Sequence, residues 1–139
     1  MKLTMETDYA IRILYCLARE GKKLDAKTIS DQMGVTLRFS LKILRKLVQS
    51  GLVKSYKGVN GGYELGPSPD EISLADIITA VEGSIEISKC LSTQQPCTRV
   101  GDPRCCQFRR EFARINRRIV DEFAAVKLAS FLEVEEKEQ

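Results

Sequence analysis

The sequence predicts a mainly α-helical protein with one small β-hairpin and one long C-terminal helix. Three observations predict it. Apolar residues recur at helical spacing through the first fifty positions, with glycines as stops. A single Asn-Gly turn, Asn60-Gly61, sits between two short strand-like runs. From Cys106 to about Leu132 one apolar seam continues with no Pro or Gly to interrupt it.

Taken in order, Thr7 is a candidate cap for a first helix, with Asp8 in its first turn, where a carboxylate favours the helix dipole. Ala10, Ile13, Leu14 and Leu17 follow, and Gly21 ends the helix. Cys16 falls near this stripe and reads as a small core residue. A short second helix spans about Ala26 to Met33 and stops at Gly34. A third starts near Thr36 and stops at Gly51, with Leu37, Leu41 (or Ser40), Leu44, Leu47 and Val48 facing inward. Two short helices around a tight turn, the second of them basic, make a helix-turn-helix.

Leu52 to Lys57 reads as a strand, residues 58–62 as a turn, and Tyr63 to Leu65 as the returning strand. A basic hairpin in this position is a wing, completing a winged helix-turn-helix. A phosphate-binding loop is excluded, because no Gly-Lys-Ser/Thr ending and no helix follow the glycines. Ser73, with Asp76 three positions on, caps a fourth helix that Gly83 ends.

The charge distribution suits an anionic partner. Residues 1–66 carry a net charge of +6, whereas the rest carry −3. A helix of this kind fits the major groove of double-stranded DNA. Thr36, Arg38 and Lys42 are placed for base edges. Phe39 either meets a thymine methyl or closes the top of the core. Arg45, Lys46, Lys54 and Lys57, with Asn60 at the wing tip, are placed for the phosphates or groove.

Four of the five cysteines fall between Cys90 and Cys106, in a segment broken by Pro96, Gly101, Asp102 and Pro103. Thiolates gathered on a loop bind a soft metal or an iron–sulfur cluster, act as redox thiols, or stay inert. The spacing is too open for zinc knuckles, and with no histidine in the chain every His-containing site is excluded. No convincing nucleophile–base pair is present, which argues against an enzyme. No apolar run reaches the roughly 20 residues that span a bilayer, and a reduced, cytoplasmic setting is expected.

Phe108, Phe112, Ile115, Ile119, Phe123 and Val126 step by three or four along the last helix. A one-sided apolar helix of this length needs a partner surface, and the simplest is the same helix of a second copy, giving a homodimer. The expected organisation is a winged helix-turn-helix DNA-binding domain over residues 1–83 and a cysteine-rich loop over 84–106. A dimerisation helix over 107–132 and an acidic tail over 133–139 follow.

The runs Tyr9-Ala10-Ile11-Arg12, Lys42-Ile43-Leu44-Arg45-Lys46-Leu47 and Gly51-Leu52-Val53-Lys54-Ser55 carry a resemblance, together with Gly58-x-x-Gly61-Gly62-Tyr63-x-Leu65 and Ile72 to Ile78. They resemble the winged-helix bacterial regulators that include IscR, NsrR, RirA and CymR. The resemblance covers residues 1 to about 132. It implies a homodimeric transcription factor, a repressor, controlled by a 2Fe–2S or 4Fe–4S cluster that senses iron or cluster status, nitric oxide or redox state. Carried over, the cluster cysteines are Cys90, Cys97 and Cys105. IscR-like members add a histidine near the position of Phe108, absent here. Other relatives use an acidic residue early in the first helix of the other protomer, and Asp8 matches it. Cys106 is the alternative fourth ligand. Members without these cysteines work without a cluster, which keeps a thiol-redox regulator as the alternative; a metal- or cluster-carrying interaction protein is the third reading.

Overall fold

A computed structural model of the chain describes residues 2–92, 97–98 and 101–138. Pro96, expected to break the cysteine loop, and residue 139 of the expected tail lie outside the described residues. Helices α1 (Met5–Glu20), α2 (Ala26–Met33) and α3 (Leu37–Gln49) come first, followed by strands β1 (Val53–Tyr56) and β2 (Gly62–Leu65). Helices α4 (Leu74–Glu82), α5 (Gln107–Ala125) and α6 (Leu128–Glu138) complete the order. Helix α1 lies at the centre, packed against α2, α3, α4, α6 and β2. Ala10, Ile13 and Leu14 of α1 meet Ile29, Ile43, Leu44, Leu47, Val53, Ile72 and Ile77 in one buried core, which also encloses Cys16.

Helix α1 begins one turn earlier than its expected cap. Thr4 is the cap, its hydroxyl accepting from Thr7 N at 3.2 Å. Thr7 is fully buried inside the helix, where its hydroxyl donates to Glu82 Oε2 at 2.9 Å. Nothing in Met5–Thr7 disfavours helix, and the contact with α4 occupies the hydroxyl that would otherwise cap. Helix α2 and its stop at Gly34, in the left-handed conformation at φ 66°, agree with expectation.

Helix α3 buries Leu44 and Leu47 as expected, takes Ser40 rather than Leu41, and buries Ile43 in place of Leu37. Ser40, Ile43, Leu44 and Leu47 are buried, whereas Leu37 and Leu41 are 45% and 44% exposed. Both sets step by three and four residues, so periodicity alone could not choose between them. The choice is made by packing against α1 and α2.

The hairpin is antiparallel, with Val53 opposite Leu65 and Tyr56 opposite Gly62. Leu24 joins it through a reciprocal pair: Leu24 N donates to Tyr63 O at 2.9 Å and Tyr63 N to Leu24 O at 2.7 Å. A Cβ on Gly62 would stand 2.7 Å from Leu24 O, at φ 151°. This glycine therefore admits the close approach of the chain's own backbone. Gly62→Ala should destabilise the fold by about 1–3 kcal/mol by straining this join. Urea unfolding measures it, and an unchanged midpoint would refute the contact.

Helix α4 carries the expected box: Asp76 N donates to Ser73 Oγ at 3.1 Å and Ser73 N to Asp76 Oδ2 at 2.9 Å. The C-terminal half departs from expectation. Instead of one helix to Leu132 and a separate tail, α5 stops at Ala125, Val126 is extended, and α6 runs on to Glu138. Val126 O accepts from Leu74 N at 3.0 Å, and Leu128 N donates to Ile72 O at 2.8 Å. Leu128 is 1% exposed, inside the N-terminal core. The break comes from this tertiary pairing, with no Pro or Gly to announce it.

Candidate nucleic-acid interface and cysteine pocket

Thr36 caps α3, its hydroxyl accepting from Phe39 N at 3.3 Å, which exposes the first turn of the helix beyond the Gly34 turn. Arg38, Lys42 and Arg45 are exposed along α3, and Lys54, Lys57 and Asn60 are exposed on the hairpin. Phe39 is 45% exposed and makes an edge contact with Tyr9, ring centroids 6.2 Å apart. It belongs to the surface more than to the core. Lys42 and Lys46 are both paired to Glu6, at 2.6 and 2.7 Å. Sequence reasoning missed Glu6; its signal was one acidic residue one helical turn before Tyr9-Ala10-Ile11-Arg12, with no hint of a partner 36 and 40 positions away.

The cysteine segment folds back on the start of α5. Ser88, Cys90, Cys97, Cys106, Phe108, Arg109 and Phe112 line a cavity of about 110 Å³. Arg109 Nε donates to Cys90 O at 3.1 Å, tying the loop to the helix. Ser88 Oγ lies 3.2 Å from Cys90 Sγ. Cys106 is the residue immediately before α5. Cys105, in the single turn Pro103–Cys105, is exposed and does not line the cavity.

The donor chemistry fits a soft metal or iron–sulfur centre: three thiols face one small cavity with two phenyl rings beside them. The positive end of α5 and the Arg109 guanidinium favour an anionic group there. Among the described residues, no three Cys, Asp or Glu side chains are already drawn together closely enough to hold a metal ion. Asp8 lies away from this cavity, on α1, with its carboxylate 2.9 Å from Arg12. Arg109 is the second residue that sequence reasoning missed. Its place three positions after Cys106 is the signal.

Asn116 pins the segment leading into the loop. Its amide donates to Ile85 O and accepts from Ile87 N, both at 2.8 Å. The apolar face of α5 is open: Phe108, Phe112 and Ile115 are 60%, 36% and 39% exposed, and no residue of α5 is buried. Cys16 takes no part; it is buried and donates to Gln32 Oε1 at 3.2 Å, and burial pushes its thiol pKa up.

A basic helix presented beyond a tight turn, with a basic hairpin beside it, defines a winged helix-turn-helix regulator of transcription rather than an enzyme. Residues 3–134 match the Rrf2 family, described as iron-dependent transcriptional regulators, and the chain belongs to that family. It is 32% identical over 107 residues to the HTH-type transcriptional regulator NsrR of Shouchella clausii, covering 76% of this chain and 71% of that protein. It is 36% identical over 92 residues to the HTH-type transcriptional regulator IscR of Aliivibrio salmonicida, covering 65% of this chain and 55% of the relative. The fold matches that of CymR, the global cysteine regulator of B. subtilis, with a TM-score of 0.75 at 24% identity, over 96% of this chain and 98% of the other. No helix among the described residues is long and apolar enough to cross a membrane.

Proposed function

We propose that the protein is a homodimeric, cytoplasmic repressor whose operator binding is governed by an iron–sulfur cluster held at the start of α5. The observation that carries this reading is that Cys90, Cys97 and Cys106 all line one cavity. Cys106 takes the place first given to Cys105. Asp8 of the partner subunit is the proposed fourth ligand; it sits on an exposed turn of α1, half-exposed beside Arg12. The cluster would supply a centre that iron supply, nitric oxide or oxygen can alter.

The chain's own residues supply the rest. Arg109 and Asn116 fasten both ends of the segment before the cysteines to α5. Helix α5 packs on α4, and α4 packs on both α1 and α3. The open apolar face of α5, with Ile119 and Phe123 further along it, is the proposed dimer seam. Reading two half-sites requires the two α3 helices about 34–36 Å apart, so a change at the start of α5 alters operator binding by moving that spacing.

Protein purified without oxygen should show visible absorption bands with iron and sulfide near stoichiometry. A colourless protein that cannot be reconstituted would refute the cluster. The second reading, a cluster-free thiol switch, is favoured by the adjacent Cys105, exposed beside Cys106, and would then stand.

A further inference from the structure

Glu6 reaches from the first turn of α1 to the DNA-facing helix. Its Oε1 accepts from Lys42 Nζ at 2.6 Å and its Oε2 from Lys46 Nζ at 2.7 Å. Lys46 also donates to Val81 O at 3.4 Å, so one ammonium joins α1, α3 and α4. The lysines are four residues apart and share a helix face. One carboxylate oxygen on each ammonium is the arrangement a backbone phosphate would take between them. Among the described residues, Arg38 and Arg45 of the same helix make no ion pair, so the clamp selects two of the four cations.

We propose that Glu6 is a specificity-determining residue: it occupies the Lys42–Lys46 pair as a phosphate would and withholds both ammonium groups from the DNA backbone. Sequence-independent affinity comes from neutralised phosphates. Withholding two cations lowers binding to random DNA while leaving Arg38, Arg45 and the wing to hold the operator. The inference rests on the DNA-binding reading of α3, and its test separates the two.

The full-length protein, Glu6→Gln, Lys42→Gln/Lys46→Gln and the triple variant are titrated against a random-sequence duplex from roughly 50 to 200 mM salt. Glu6→Gln should bind on the order of tenfold more tightly. Its log–log salt slope should steepen by about 1.8, the value for two further phosphates. The lysine double variant should change little while Glu6 is intact and should erase the whole gain when Glu6 is replaced. That double variant keeps the test decisive if Glu6→Gln is poorly folded. Equal or weaker binding by a folded Glu6→Gln protein would overturn the inference, as would an equal loss from the double variant in both backgrounds. If no variant binds DNA at all, the DNA-interface reading falls first and the inference with it.

Discussion

Cys106→Ser should purify without oxygen as a colourless protein with almost no iron or sulfide, whereas Cys105→Ser should keep the chromophore. The two residues are adjacent, so sequence position gives little reason to expect opposite results. Geometry does. Cys106 immediately precedes α5 and lines the cavity shared with Cys90 and Cys97; Cys105 faces solvent from the preceding turn. Serine keeps nearly the size of cysteine but offers a hard hydroxyl in place of a soft thiolate, and soft centres are held poorly by it. Winged-helix folding should be unaffected in both variants, since neither side chain is in the core. The reverse pattern, with colour lost in Cys105→Ser and retained in Cys106→Ser, would restore the first assignment.

Ile115→Asp should convert the proposed dimer into a folded monomer and remove operator binding. Ile115 is 39% exposed, between Arg114 and Asn116 on the open face of α5, and is not part of the core. In a two-fold symmetric pair the substitution appears twice at the seam. Burying an unpaired polar or charged group costs about 2–3 kcal/mol at each copy at the least, so dimer affinity should fall by about three to four orders of magnitude. Sedimentation at micromolar concentration reads the result directly, and circular dichroism checks that the monomer is folded. A variant that stays dimeric would place the interface elsewhere on the chain.

Much of the fold was legible because its signals are local. Gly34, the Ser73/Asp76 box and the Asn60-Gly61 turn each specify geometry within a few residues, and each stands where expected. The open apolar seam from Phe108 to Ile115 was legible for the same reason, as a short-range period. What escaped was set at long range. The end of α5 at Ala125 depends on Val126 and Leu128 finding the backbone of Ile72 and Leu74. The inward face of α3 depends on which of two equally periodic stripes meets α1, and Ile43 won over Leu37 and Leu41. At the candidate site, the basic residues of α3 and the wing were readable one by one. The pairing of two of them with Glu6 was not, because a helix 36 positions upstream decides it. The contrast between Cys105 and Cys106 was hidden because a one-residue step at a helix start turns a side chain from a cavity to solvent.

The docking of Leu128 into the N-terminal core has a consequence for how the molecule is made. A nascent chain that has released residues 1–83 from the ribosome still lacks a side chain that its core encloses, as well as the Ile72–Leu74 pairing that seats it. The DNA-facing half therefore completes its core only after α5 has been synthesised, through contacts that close more than fifty residues of intervening chain. By then the cysteine loop has emerged as well. The order of translation therefore puts the cysteine segment outside the ribosome before the core of the DNA-facing half is complete.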